Sequence, residues 1–139
     1  MKGKNINELK IGDSASMSLT ITETQIIQFA GLTGDFNPVH LDAEAAKDSF
    51  FKQRISHGML IASLFSPVLA LKLPGEGTIY LSQDLKFVKP VFINDTITAT
   101  VTITELIVEK NRAILSTIAT NQNGEEVITG TAVVMPPRE

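Results

Sequence analysis

Along the first strand-like stretch, Ala15, Met17, Leu19 and Ile21 alternate with Ser14, Ser16, Ser18 and Thr20. A strict period of two predicts a β-strand with one buried face. Thr22 follows, with Gln25 three positions later, the pairing of a capping box. It opens a predicted helix whose apolar side is Ile26, Ile27, Phe29 and Ala30, ended by Gly31, Gly34 and Pro38. Asp42 can cap a second, short helix over Ala43 to Phe50. From Gly58 to Leu71 the chain carries no charge and is apolar on nearly every side, so a helix here belongs in the middle of the fold. Pro67 should bend it or interrupt one hydrogen bond. The run holds Ser63, Ser66 and Pro67 and falls short of the ~20 apolar residues that a bilayer span needs.

Beyond Gly77 only strand patterns remain. One covers Thr78 to Val88; in the next, Ile97, Ala99, Val101 and Ile103 alternate with threonines. Ala113 to Thr120 and Glu126 to Met135 complete the set, and Asn123-Gly124 between them signals a hairpin. Strand, helices, one long central helix and then an antiparallel meander place the chain in the α+β class, as a single domain over residues 1–139. A sheet wrapped round that apolar helix uses every pattern noted. It leaves an edge strand in need of cover, which points to a homodimer.

Hydrophobic residues make up 43% of the 139, enough for a real core. The net charge is −3, with both signs interspersed, which argues against nucleic acid or an anionic membrane surface as the main partner. There is no cysteine, so disulfides, thiolate catalysis and Cys-bound metals are excluded. The N-terminal MKGKNINELKIGD lacks the apolar core of a signal peptide, and a cytoplasmic protein is the expectation.

The candidate chemistry lies in Thr33-Gly34-Asp35-Phe36-Asn37-Pro38-Val39-His40. Asp35 and His40 flank a short Asn-Pro turn that can bring carboxylate and imidazole to one small volume, as a general acid/base pair requires. The same Asp-x-Asn-Pro is also ordinary turn chemistry, with Asp and Asn bonding their own backbone. Gly58, at the start of the central helix, is a second candidate, because helix N-termini present unpaired N–H groups and glycine admits a close approach.

Three separated motifs then carry a resemblance. Phe29, Gly34 to His40 and Asp42 form the first, Ser56-His57-Gly58-Met59 the second, and Phe87-Val88-Lys89-Pro90-Val91-Phe92-Ile93-Asn94-Asp95-Thr96 the third. In this order they resemble the MaoC-like (R)-specific enoyl-CoA hydratases and dehydratases of the hot-dog fold, over essentially the whole chain. Asn94, where that family usually has Gly, and Thr33, at a variable small position, are the departures. Leu64-Phe65-Ser66 and Leu73-Pro74-Gly75 look most like the short stand-alone hydratases that feed polyhydroxyalkanoate synthesis.

The resemblance implies a lyase of fatty acid metabolism that hydrates a trans-2-enoyl thioester to the (R)-3-hydroxyacyl thioester. Asp35 and His40 would hold the water, and the Gly58 N–H would stabilise charge on the thioester oxygen. Asn37 would hold the turn or bond near the pair, and Ser66 would orient His40 or the water. Ala62, Phe65 and Leu69 share a helical face with Gly58 and, with Val134, are candidate acyl-pocket residues; ordinary core packing is the competing reading. His57 would contact the substrate or cap the helix locally, and the local role is favoured. Coenzyme A, or an acyl-carrier phosphopantetheine, is substrate and no cofactor is expected; Lys86, Lys89 or Arg54 would meet its diphosphate. A metal set of Asp35, His40 and His57 is weighed and set aside for its unusual spacing. An (R)-3-hydroxyacyl-carrier-protein dehydratase and a non-catalytic acyl-thioester-binding domain are the alternatives.

Overall fold

The computed structural model describes residues 2–139. Its five strands are β1 (Ser14–Thr20), β2 (Ile79–Phe87), β3 (Thr96–Ile107), β4 (Arg112–Thr120) and β5 (Glu126–Met135). They form one sheet in the order β1-β3-β4-β5-β2, antiparallel at every pairing. The helices are α1 (Glu23–Thr33), α2 (Pro38–Leu41), α3 (Ala43–Lys47), α4 (Gly58–Ala62) and α5 (Phe65–Leu71).

Period two in the sequence becomes two chemically different faces. Ile97, Ala99, Val101 and Ile103 of β3 are fully buried, while the threonines between them are half-buried on the other face. There they join β1 by hydroxyl pairs, Ser18 Oγ to Thr98 Oγ1 at 2.7 Å and Thr20 Oγ1 to Thr96 Oγ1 at 2.8 Å. The inner face packs on α4 and α5, whose Ile61, Phe65, Val68 and Leu69 are at most 1% exposed. Burying such side chains is worth about 1.5–3 kcal/mol each, and this cluster organises the fold.

The long central helix expected from Gly58 to Leu71 is two helices. Pro67 has no N–H to give the Ser63 carbonyl, and its ring crowds that oxygen. Locally the chain tightens instead: Leu64 N–H bonds Ile61 O at 3.1 Å and Ser66 N–H bonds Ser63 O at 3.2 Å. The Ser63 hydroxyl also donates to the Leu60 carbonyl at 2.5 Å. The short helix expected to reach Phe50 ends at Lys47, although Asp42 Oδ1 caps it as expected, accepting from Glu44 and Ala45. Thr22 and Gln25 form both bonds of the capping box on α1. Asn123-Gly124 lies in the β4–β5 turn, with Gly124 at φ +76° and Asn121 Oδ1 accepting from Asn123 and Glu125.

One glycine is a packing requirement. At Gly130 of β5 a Cβ would lie 2.1 Å from the Asp84 carbonyl and 3.0 Å from Gln83 Nε2. The missing side chain lets Gln83 of β2 reach Thr117 Oγ1 of β4 at 2.8 Å, satisfying a fully buried hydroxyl. β2 is a terminal strand of the sheet, and its Ile79 and Leu81 are 53% and 43% exposed.

Truncating Phe65, fully buried against the sheet, should cost about 3–5 kcal/mol. Urea unfolding of Phe65→Ala should show a lowered midpoint at unchanged slope; a loss below about 1 kcal/mol would contradict this account of the core.

Candidate active site

The site begins where α1 ends. Gly34 takes the left-handed conformation (φ 84°) and its N–H closes the helix on Ala30 O. Asp35 Oδ1 then accepts from Asn37 N–H at 3.2 Å, and Asn37 Oδ1 accepts from Val39 N–H at 3.2 Å. Two overlapping side-chain turns with Pro38 in the first turn of α2 fix the path from Asp35 to His40. Asn37 is therefore the cap of α2, the turn-forming alternative of the two roles expected for it.

His40 is 7% exposed, and its Nδ1 lies 2.8 Å from the Ile55 carbonyl. A carbonyl only accepts, so this contact assigns the proton to Nδ1 and leaves the Nε2 lone pair free. Ile55 is held in turn by its bond to Val39 O at 3.2 Å and by a bridge to Phe92. Asp35 is exposed. One ligand-type atom from each of Asp35, His40 and His57 falls within 4.8 Å of the others. Carboxylate and imidazole thus share the small volume that an acid/base pair needs, while Asp35 also takes part in the turn.

The local capping role favoured for His57 is not the one the structure gives it. No side-chain bond caps α4; His57 is 3% exposed and stacks on His40 with ring centroids 3.9 Å apart. Its Nε2 lies 3.0 Å from the backbone carbonyl of Asp35. Position along the chain carries no sign of this, since the contact is made across 22 residues. The expected local cap fails because an imidazole turned toward His40 cannot also reach the amides of α4. The structure does bring together Asp35, His40 and His57, the set weighed above for a metal, with His57 Nε2 engaged by the Asp35 carbonyl and Nδ1 buried without a hydrogen-bond partner.

Gly58 opens α4, is exposed, and its N–H has no acceptor among the described residues. A Cβ there would stand 2.7 Å from the Phe87 ring, so the close approach that needs glycine is made by Phe87. Beside it lies a cavity of about 490 Å³ lined by Phe50, Phe51, Met59, Phe87, Val88 and Pro90 together with Ser56 and Gly58. Ala62, Phe65, Leu69 and Val134 do not line it. They belong to the core, at 8%, 0%, 1% and 0% exposure, because the helical face shared by Ala62, Phe65 and Leu69 is pressed on the inner face of the sheet, to which Val134 of β5 belongs. Ser66 faces away, exposed, without a bond to His40.

Of the three cations expected near a diphosphate, Arg54 is committed elsewhere. Its Nε donates to the His40 carbonyl at 2.8 Å and its Nη1 to Glu23 at 2.6 Å, joining the end of α2 to the start of α1. Lys89 pairs with Glu125, whose carboxyl is held below its usual range by hydrogen bonds from Lys89 and then Asn121. Lys86 is exposed.

The match to known proteins is nearly full-length. The family described as MaoC like domain fits residues 7–126. The chain belongs to the MaoC-like family. An (R)-specific enoyl-CoA hydratase of Rhodospirillum rubrum is 49% identical over 130 residues, 94% of this chain and 90% of that protein. One from Aeromonas caviae is 45% identical over 129 residues, 93% of this chain and 96% of its own length. The solved R-hydratase PhaJ1 from Pseudomonas aeruginosa, unliganded, superposes with a TM-score of 0.93 at 42% identity, over 99% of this chain and 88% of that one. The fold is the hot-dog fold of these MaoC-like hydratases.

If Arg54 is a tether, Arg54→Ala should lower unfolding free energy by about 1.5–3 kcal/mol through loss of its charged hydrogen bonds. Equal denaturation midpoints for variant and wild type would remove that role.

Proposed function

We propose that Asp35 and His40 are the acid/base pair of an (R)-specific enoyl-CoA hydratase, adding water reversibly across trans-2-enoyl-CoA to form (R)-3-hydroxyacyl-CoA. The observation that carries this reading is the convergence of Asp35 and His40 in a chain whose near-full-length relatives are named for that activity. The enzyme is a hydro-lyase.

Syn hydration delivers hydroxyl to C3 and a proton to C2 from the same side of the double bond. Water held between the Asp35 carboxylate and His40 Nε2 loses a proton to one member as it attacks C3, and a proton is delivered to C2, so the pair ends with its starting proton count. The free Nε2 of His40 is set for this exchange by its Nδ1 bond to Ile55 O. Charge gathers on the thioester oxygen as C3 is attacked. The free N–H of Gly58 is our candidate donor to it, an interaction of about 3–4 kcal/mol where such donors have been removed. We place the acyl-thioester against the apolar cavity beside Gly58, and assign the coenzyme A diphosphate to Lys89, which lines that cavity, or to the exposed Lys86, rather than to Arg54.

The uncovered edge of β2 supports a homodimer, in which a second copy would satisfy its backbone and cover Ile79 and Leu81. The A. caviae structure is titled as involved in PHA biosynthesis. By that likeness we assign the (R)-3-hydroxyacyl product of this chain to the same supply.

With crotonyl-CoA the chelator-treated protein should consume the enoyl-thioester absorbance and yield the (R) product, scored by a coupled (R)-specific dehydrogenase. Asp35→Asn and His40→Gln should each lower kcat about 10²–10⁴-fold while remaining folded. Undiminished turnover in either variant would refute the assigned pair.

A further inference from the structure

We infer that His57 is a positioning residue for this reaction, fixing the separation of Asp35 and His40 through one hydrogen bond and one ring contact. The inference rests on the function proposed above.

The stretch from Gly31 to Pro38 is exposed throughout, and most of its hydrogen bonds are local. Thr33 Oγ1 bonds Phe29 O, Asp35 N–H bonds Thr33 Oγ1, and Asn37 N–H bonds Asp35 Oδ1. Such bonds shape a turn but do not hold it against the rest of the molecule. Among the described residues, the contact of His57 Nε2 with the Asp35 carbonyl at 3.0 Å is the one hydrogen bond joining residues 31–37 to the chain beyond His40.

His57 itself is well held. It is 3% exposed, packs against the ring of His40 (3.9 Å, 28°) and the ring of Phe29 (4.9 Å, 57°), and immediately precedes α4. The same imidazole therefore pins the backbone under Asp35 and lies flat on the ring of His40. Since the Asp35 carbonyl can only accept, Nε2 carries the proton. Nδ1 is then a lone pair, buried and without a partner. An unpaired buried acceptor costs stability, and a leucine at this position would avoid that cost. The donor at Nε2 is what only a residue such as histidine supplies here. General acid/base catalysis depends steeply on placement, and an error of about 1 Å is worth up to about 10²-fold in rate.

The test compares His57→Leu, which fills the space without a donor, with His57→Gln, whose amide N–H reaches where Nε2 does. We expect kcat of His57→Leu to fall about 10- to 100-fold at a KM within about twofold of wild type, by analogy with loss of orienting partners elsewhere. His57→Gln should recover most of it. Full kcat per folded molecule in His57→Leu, or no difference between the two variants, would overturn the inference. Nitrogen-15 NMR of the wild-type protein provides a second readout that survives poor folding of either variant. It should show His57 protonated at Nε2 and bare at Nδ1, and the opposite tautomer would overturn the proposal. Because that spectrum needs no turnover, failure of the hydratase reading, seen as an inactive wild type, stays distinguishable from failure of this one.

Discussion

The charge-free stretch from Gly58 to Leu71 carries the large apolar side chains Ile61, Phe65, Val68 and Leu69, and the architecture follows from burying them. The inner face of the sheet covers them with Ile97, Val101, Leu115 and Val134, all fully buried. Pro67 prevents the stretch from being one helix, so two short helices share the sheet. Their first residue, Gly58, emerges at the rim where the end of β2 and the segment after it arrive; Ser56 N–H bonds Val91 O at 2.7 Å there. The functional region is thus assembled at the N-terminal end of the buried helices, on a rigid support.

Mobile-looking chemistry is carried on that support by a small number of bonds. Asp35 lies in an exposed turn, whereas His40 and His57 are buried beneath it and bonded to the carbonyls of Ile55 and Asp35. Arg54 adds a charged link between the His40 carbonyl and Glu23. Three stretches of chain, at residue 23, residues 35–40 and residues 54–57, are locked together in this way, so the carboxylate can face substrate while its backbone stays fixed. The arrangement suits a reaction that relocates protons and needs no large group movement.

Much of the fold was legible before any coordinates. Alternation marked β1 and β3, and Thr22 with Gln25 formed the expected capping box. Turn chemistry at Asp35-Phe36-Asn37-Pro38 correctly announced a tight path to His40, because Asx turns and proline act over two or three residues. The pocket was read less well. Gly58, Ala62, Phe65 and Leu69 lie on one face in a helical projection, but a projection cannot tell a face lining a void from a face pressed into a core. Arg54 looked like a free surface cation, yet its partners Glu23 and His40 are set by folding.

Local physics therefore determined what the sequence alone could show: which stretches are strands, where helices are capped, which run must be buried, and that one carboxylate and one imidazole lie near each other. Each depends on side chains within a few residues. Tertiary structure decided the rest. It placed His57 on His40, sent Arg54 inward, left β2 at the edge of the sheet and pressed Ala62, Phe65 and Leu69 into the core, because those outcomes depend on segments that meet only when the sheet closes over α4 and α5.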